Sequence, residues 1–155
     1  MKKIILFFPI FLFSIALFAQ GKALSIYELE EKNLSIAKID EVYRNGIPDS
    51  DIKKSVFQKN YFDSVVFPKR NDFLNQIGYY LQQNGFRWGG LSNCWTKICF
   101  STDGSVEYFI YNFFNPINAE KEKKFKELLE KFFNENKFLP GPEKFYLCGR
   151  VIWRD

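Results

Sequence analysis

Three cysteines, Cys94, Cys99 and Cys148, are the only thiols in a 155-residue chain that contains no histidine. Thiols can act as nucleophiles, redox centres or metal ligands, but each role asks for partners this sequence lacks. Without histidine there is no Ser-His-Asp or Cys-His catalysis, no His-ligated zinc and no c-type haem. The cysteine spacing matches neither a Cys-x-x-Cys redox pair nor a zinc knuckle, and no glycine-rich phosphate loop is present. The residues therefore predict no metal, no cofactor and no assigned catalytic group. In an oxidising compartment the simplest use of three cysteines is one disulfide and one leftover thiol.

Carboxylates and aromatic rings are the remaining candidates for chemistry. Glu28 with Glu31, or Asp103 with Glu107, supplies the two carboxylates that glycosidase-type acid/base work requires. Each is more simply a helix cap, a solvated face or a turn residue. Phe86, Trp88 and Trp95 bracket Gly89-Gly90 and predict a possible binding surface, an aromatic platform for a sugar or peptide. The competing reading makes the same rings core plugs and the glycines a turn. Tyr108, Tyr111, Phe113 and Phe114 are equally well explained by alternation along one strand.

The elements that must position these residues begin after a leader. Met1-Lys2-Lys3, an apolar run over residues 4–18 and Ala19-Gln20 form a secretory signal pattern. The run is shorter than the roughly 20 apolar residues that span a bilayer. The expectation is a signal peptide at 1–19, cleavage after Ala19 and a periplasmic or secreted protein without stable membrane insertion. Lys2 and Lys3 leave with the leader, so 20 bases face 18 acids and the net charge is only +2. That is no footprint for nucleic acid. With 19 Phe, 8 Tyr and 3 Trp in the whole chain, composition favours a packed core over disorder.

Residues 20–155 read as a single α+β domain, with a helical N-terminal extension over 20–68 and a core over 69–155. Ser25 and Glu28 form a capping-box pattern, and Leu29, Ile36 and Tyr43 recur every seven residues, which predicts a helix over 25–44. Gly46 and Pro48 end it. A short helical turn is expected over 51–57, and an extended or irregular stretch over 61–67, stopped by Pro68. Asn71 is positioned to cap a helix bearing Phe73, Leu74, Ile77, Tyr80 and Leu81, closed by Asn84-Gly85. Residues 94–101 predict a strand with Cys94, Thr96, Ile98 and Phe100 on one face. Thr102-Asp103-Gly104 makes the hairpin turn, and 106–113 the return strand. A helix over 119–136 shows Phe125, Leu128, Leu129, Phe132 and Phe133 on one stripe. A last strand over 144–153 shows Phe145, Leu147, Val151 and Trp153 on one face. The core order is helix-strand-strand-helix-strand, with a small antiparallel sheet packed against helices.

The stretch 71–153 resembles the C-terminal domain of TonB-type energy transducers. The residues that carry the likeness are Ile98 to Val106, an apolar strand entering an Asp-Gly turn, then the helix around Phe125 to Phe132, Lys137-Phe138-Leu139-Pro140 and a closing strand ending at Ile152-Trp153. The departures are a leader that reads as cleavable and an N-terminal helix where the family has a proline-rich spacer. The resemblance implies a fold, and a sheet edge that pairs with an extended peptide through main-chain hydrogen bonds. It also implies that the strands carrying Cys148 and the first cysteines are neighbours. Strand parity then favours Cys99 as the partner of Cys148. Cys94 lies at the strand's edge, where the backbone can adjust to disulfide geometry, and Gly149 can mark a bulge that spoils parity. The expected disulfide is Cys94 with Cys148, with Cys99 to Cys148 as the alternative.

Taken together these features predict an exported, non-enzymatic binding or interaction protein whose partner is an extended peptide or envelope protein. The alternatives are a small carboxylate-dependent hydrolase acting on glycans, and a periplasmic immunity or inhibitor protein.

Overall fold

The computed structural model describes residues 22–49 and 55–155, so the leader at 1–19 and most of the turn expected at 51–57 lie outside the described residues. Strand β3 (Ser92–Phe100) is the centre of a five-stranded mixed sheet ordered β1-β4-β3-β5-β2. It pairs antiparallel with β4 (Val106–Phe113) on one side and β5 (Phe145–Trp153) on the other. Short strands complete the edges in parallel: β1 (Ala23–Ser25) on β4 and β2 (Arg44–Asn45) on β5. The fold is mixed α/β as expected, but the small antiparallel sheet is corrected to this mixed one.

Alternation along β3 divides the core in two. Cys94, Ile98 and Phe100 face one side with Phe109, Tyr111, Phe145, Leu147, Val151 and Trp153. Against them pack α3 (Phe67–Gln83), through Phe73, Leu74, Ile77 and Leu81, and α4 (Ala119–Glu135), through Phe125, Leu128, Leu129, Phe132 and Phe133. Asn118 caps α4 by accepting from the backbone N–H of Lys121 at 2.8 Å. Burying each such Phe or Leu is worth about 1.5–3 kcal/mol, so these stripes dominate the fold's stability. Gly104 closes the β3–β4 hairpin with φ of +82°, and a Cβ there would come within 2.2 Å of the Phe138 carbonyl oxygen. Only glycine meets both conditions.

The helix predicted over 25–44 is corrected. Its first residues form β1 and a 3-10 turn (Ile26–Glu28), and only α1 (Ile36–Val42) is α-helical. Ser35 caps α1 by accepting from the Lys38 N–H at 3.2 Å. Leu24, Leu29, Ile39 and Tyr43 cover the back face of the sheet over Cys99 and Ile110. Residues 22–45 thus form a strap that supplies one edge strand, crosses the back face and supplies the other.

The irregular stretch expected over 61–67 is also corrected. A short helix α2 (Lys59–Tyr61) leads through a π-helical segment (Phe62–Val66) straight into α3. Pro68 has no N–H to give the Ser64 carbonyl, and its ring crowds that turn. The wider π turn, in which the Phe67 N–H reaches the Phe62 carbonyl, takes up the misfit and keeps the rod continuous. Asn71 is consequently an exposed residue within α3 and not its cap.

Candidate functional site

Parity places Cys94 on the helix face of β3 and Cys148 on the back face of β5. The expected Cys94–Cys148 disulfide is therefore not made, and all three thiols are free. The Gly149 bulge that would have rescued it is absent, because β3 and β5 pair without a register break from Ser92↔Trp153 to Phe100↔Phe145. Cys99 shares the back face but stands opposite Tyr146, while Cys148 stands opposite Lys97. Such diagonal neighbours lie about 7–8 Å apart, beyond ordinary disulfide reach. Burial pushes the Cys94 and Cys99 thiols up to about 12.

The aromatic platform is likewise not assembled. Phe86 and Trp88 are core residues, with Trp88 stacked on Trp153 at 5.2 Å between centroids. Trp95 points to the opposite face of the sheet, against the strap. Above Phe86 lies an open depression of about 600 Å³ lined by Arg87, Lys121 and Lys124. Two of its cations are committed: Lys121 Nζ donates to the Trp88 carbonyl at 2.8 Å and Lys124 Nζ to the Gly85 carbonyl at 3.1 Å.

The candidate acid/base pairs are occupied with holding the fold. Glu28 accepts from the Ser25 N–H at 2.8 Å and from Lys126 Nζ at 2.5 Å. Glu31 is exposed on the turn beyond it. Asp103 ties the hairpin turn together through Ser101, Ser105 and Lys137, and these contacts hold its carboxyl well below the usual range. Glu107 accepts from the Tyr43 hydroxyl at 2.5 Å and from Lys144 Nζ at 2.8 Å. Burial, and then that bond to Glu107, raises the Tyr43 phenol. Among the described residues no group of three His, Cys, Asp or Glu is arranged to hold a metal ion. No helix among them is long and apolar enough to cross a membrane.

What the strands leave open is a stretch of main chain. Arg44 N–H donates to the Lys144 carbonyl at 3.1 Å and Gly46 N–H to the Tyr146 carbonyl at 2.9 Å. Even-numbered residues of β5 thus turn their backbone groups toward the outer edge, since N–H and C=O of one residue point the same way. β2 ends at Asn45, so no described strand pairs with the outward groups of Cys148, Arg150 and Ile152. Ile152 is half exposed at 52%. Over this stretch lies Arg70 of α3, buried at 9% exposure, whose Nε and Nη2 have no hydrogen-bond partner. Sequence reasoning passed over Arg70, although it stands four, seven and eleven residues before Leu74, Ile77 and Leu81 and so on the buried stripe. The open edge had no local signal, because it is fixed by where the distant strand β2 stops. Comparison with protein-family models, with curated proteins and with solved structures found no match.

Proposed function

We propose that this chain is an exported, non-enzymatic binding protein that takes an extended segment of an envelope protein onto the outer edge of β5. The single observation that supports this reading is the main chain at Cys148, Arg150 and Ile152 that no described strand pairs with. An open edge is a template for a further strand, and natural proteins usually blunt or cover it. Strand addition uses such an edge directly, with main-chain bonds supplying affinity and alternate side chains supplying selectivity. The likeness of residues 71–153 to TonB-type C-terminal domains points to the same manner of docking. The secretory pattern of residues 1–19 supports an encounter outside the cytoplasm.

The test is a photo-cross-linking amino acid at Ile152 in the full chain, expressed in its own host. The expected product is a covalent adduct with one envelope protein, carried by a processed chain that starts at Gln20. The same probe at exposed Tyr79 on α3 should give no such adduct. Equal labelling at both positions, or recovery of a chain retaining Met1, overturns the proposal.

A further inference from the structure

Helix α3 runs along β5 in step with it: Arg70 lies against Gly149, and Gly78 lies against Trp153. Eight residues of helix rise about 12 Å and four residues of strand about 13 Å, so the two elements stay aligned over this length. A Cβ on Gly149 would come 2.7 Å from Arg70 Nη2. The missing side chain is what lets the guanidinium lie down on the edge strand.

That guanidinium is buried and lacks any hydrogen bond at Nε and Nη2, and no ion pair to it is formed among the described residues. Burial lowers its proton affinity, yet an arginine stays charged in proteins. A buried unpaired charge is among the most costly arrangements a fold can keep. The open edge from Cys148 to Ile152 lies at the same level. Arg150 is no rival for that charge, because its guanidinium turns inward across the back face, with Nε donating to Asn93 Oδ1 on β3 at 2.6 Å.

We infer that the segment received by β5 carries an aspartate or glutamate whose side chain falls on the helix face beside Gly149 and pairs with Arg70. This rests on the edge-docking reading and adds the chemistry of its partner. A strand laid along β5 puts alternate side chains on the helix face. A carboxylate there can meet the planar guanidinium with two parallel charge-assisted hydrogen bonds. The free protein then keeps an uncompensated charge that only an acidic strand neutralises, which makes selectivity a property of one residue.

The experiment uses the full chain and a panel of blocked synthetic peptides of alternating Thr and Val, about eight residues long, with one Asp, Asn or Lys walked through every position. Binding is followed by fluorescence anisotropy. At one register the Asp peptide should bind at least about tenfold more tightly than its Asn counterpart, and the Lys peptide most weakly. Arg70→Met should abolish the Asp-to-Asn ratio without abolishing binding. Arg150→Pro, which deletes an outward N–H on an edge strand, should abolish binding of every peptide. Binding that is lost in Arg150→Pro but equal for Asp, Asn and Lys overturns this inference and leaves edge docking standing. If no peptide binds, or binding survives Arg150→Pro, edge docking falls and takes the inference with it. Should Arg70→Met fail to fold, the Asp-to-Asn ratio of the unmodified chain decides alone.

Discussion

The Lys97 ammonium, raised from the central strand into the layer beneath the strap, is paired with Asp40 of α1. Its Nζ also sits 3.6 Å from the centroid of the Tyr146 ring. Lys97 is 4% exposed and Asp40 41% exposed, so the pair joins a sealed cation to a carboxylate open to water. The contact pins α1 onto the sheet at the place where a lysine is least at home. It also explains how a charged side chain can sit mid-strand between Trp95 and Cys99.

Removing the two partners should have opposite consequences. Asp40→Ala leaves a buried ammonium with only a ring for company and should cost about 1–3 kcal/mol. Lys97→Met removes the charge that needed pairing and should be near neutral or stabilising. Urea unfolding of both variants measures this. A larger loss for Lys97→Met than for Asp40→Ala would show that the pair itself, and not relief of burial, holds the strap.

The stripe of α4 carries a second expectation. Leu128 and Phe132 are 6% and 3% exposed and packed against the sheet core. Leu128→Ala or Phe132→Ala should each cost roughly 2–5 kcal/mol, the range for emptying a core position. A loss below about 1 kcal/mol at both would mean that α4 does not seal the helix face.

The strongest sequence signals were those that need no distant partner. The alternating strand Val106–Phe113 and the amphipathic helix Ala119–Glu135 lie where their patterns place them. The seven-residue spacing of Leu29, Ile36 and Tyr43 predicts one helix, which they do not form, yet those residues do share a face. A turn, a short helix and a strand entry bring them onto the back of the sheet. Periodicity reported which residues are covered, and not by which backbone. Strands β1 and β2 are three and two residues long. They pair in parallel with segments far along the chain, so no local pattern reveals them. The same long-range pairing hides the open edge of β5, and with it the meaning of Arg70.

Thiol chemistry offers a direct check of the sheet's parity. Burial raises the thiols of Cys94 and Cys99 to about 12, which leaves them undissociated at neutral pH, and both are fully enclosed. Cys148 is only half-buried. Alkylation of the native protein at pH 7–8 followed by peptide mass analysis should label Cys148 first and the other two only after denaturation. A Cys94–Cys148 cross-linked peptide, or rapid native labelling of Cys94, would mean that β5 does not present its even-numbered residues to the back face.

Glu28 makes the strap's attachment depend on pH. Burial alone would raise its carboxyl, but the bonds from Lys126 and from Ser25 outweigh that and hold it below its ordinary value. A carboxylate held low in the folded chain contributes its stability above the unfolded value, near pH 4.3. The contribution fades as pH falls through the lower folded value. At pH 6–7 Glu28→Gln should therefore cost about 1 kcal/mol, because Lys126 loses its charged partner. As pH falls through that lowered folded value the two proteins should approach equal stability, since the wild-type carboxyl is then protonated as well. Thermal unfolding of both across pH 2.5–7 measures the gap. A gap that stays constant or widens toward acid would mean that Glu28 acts through shape alone, and that its charge does not fasten β1 and the 3-10 turn to α4.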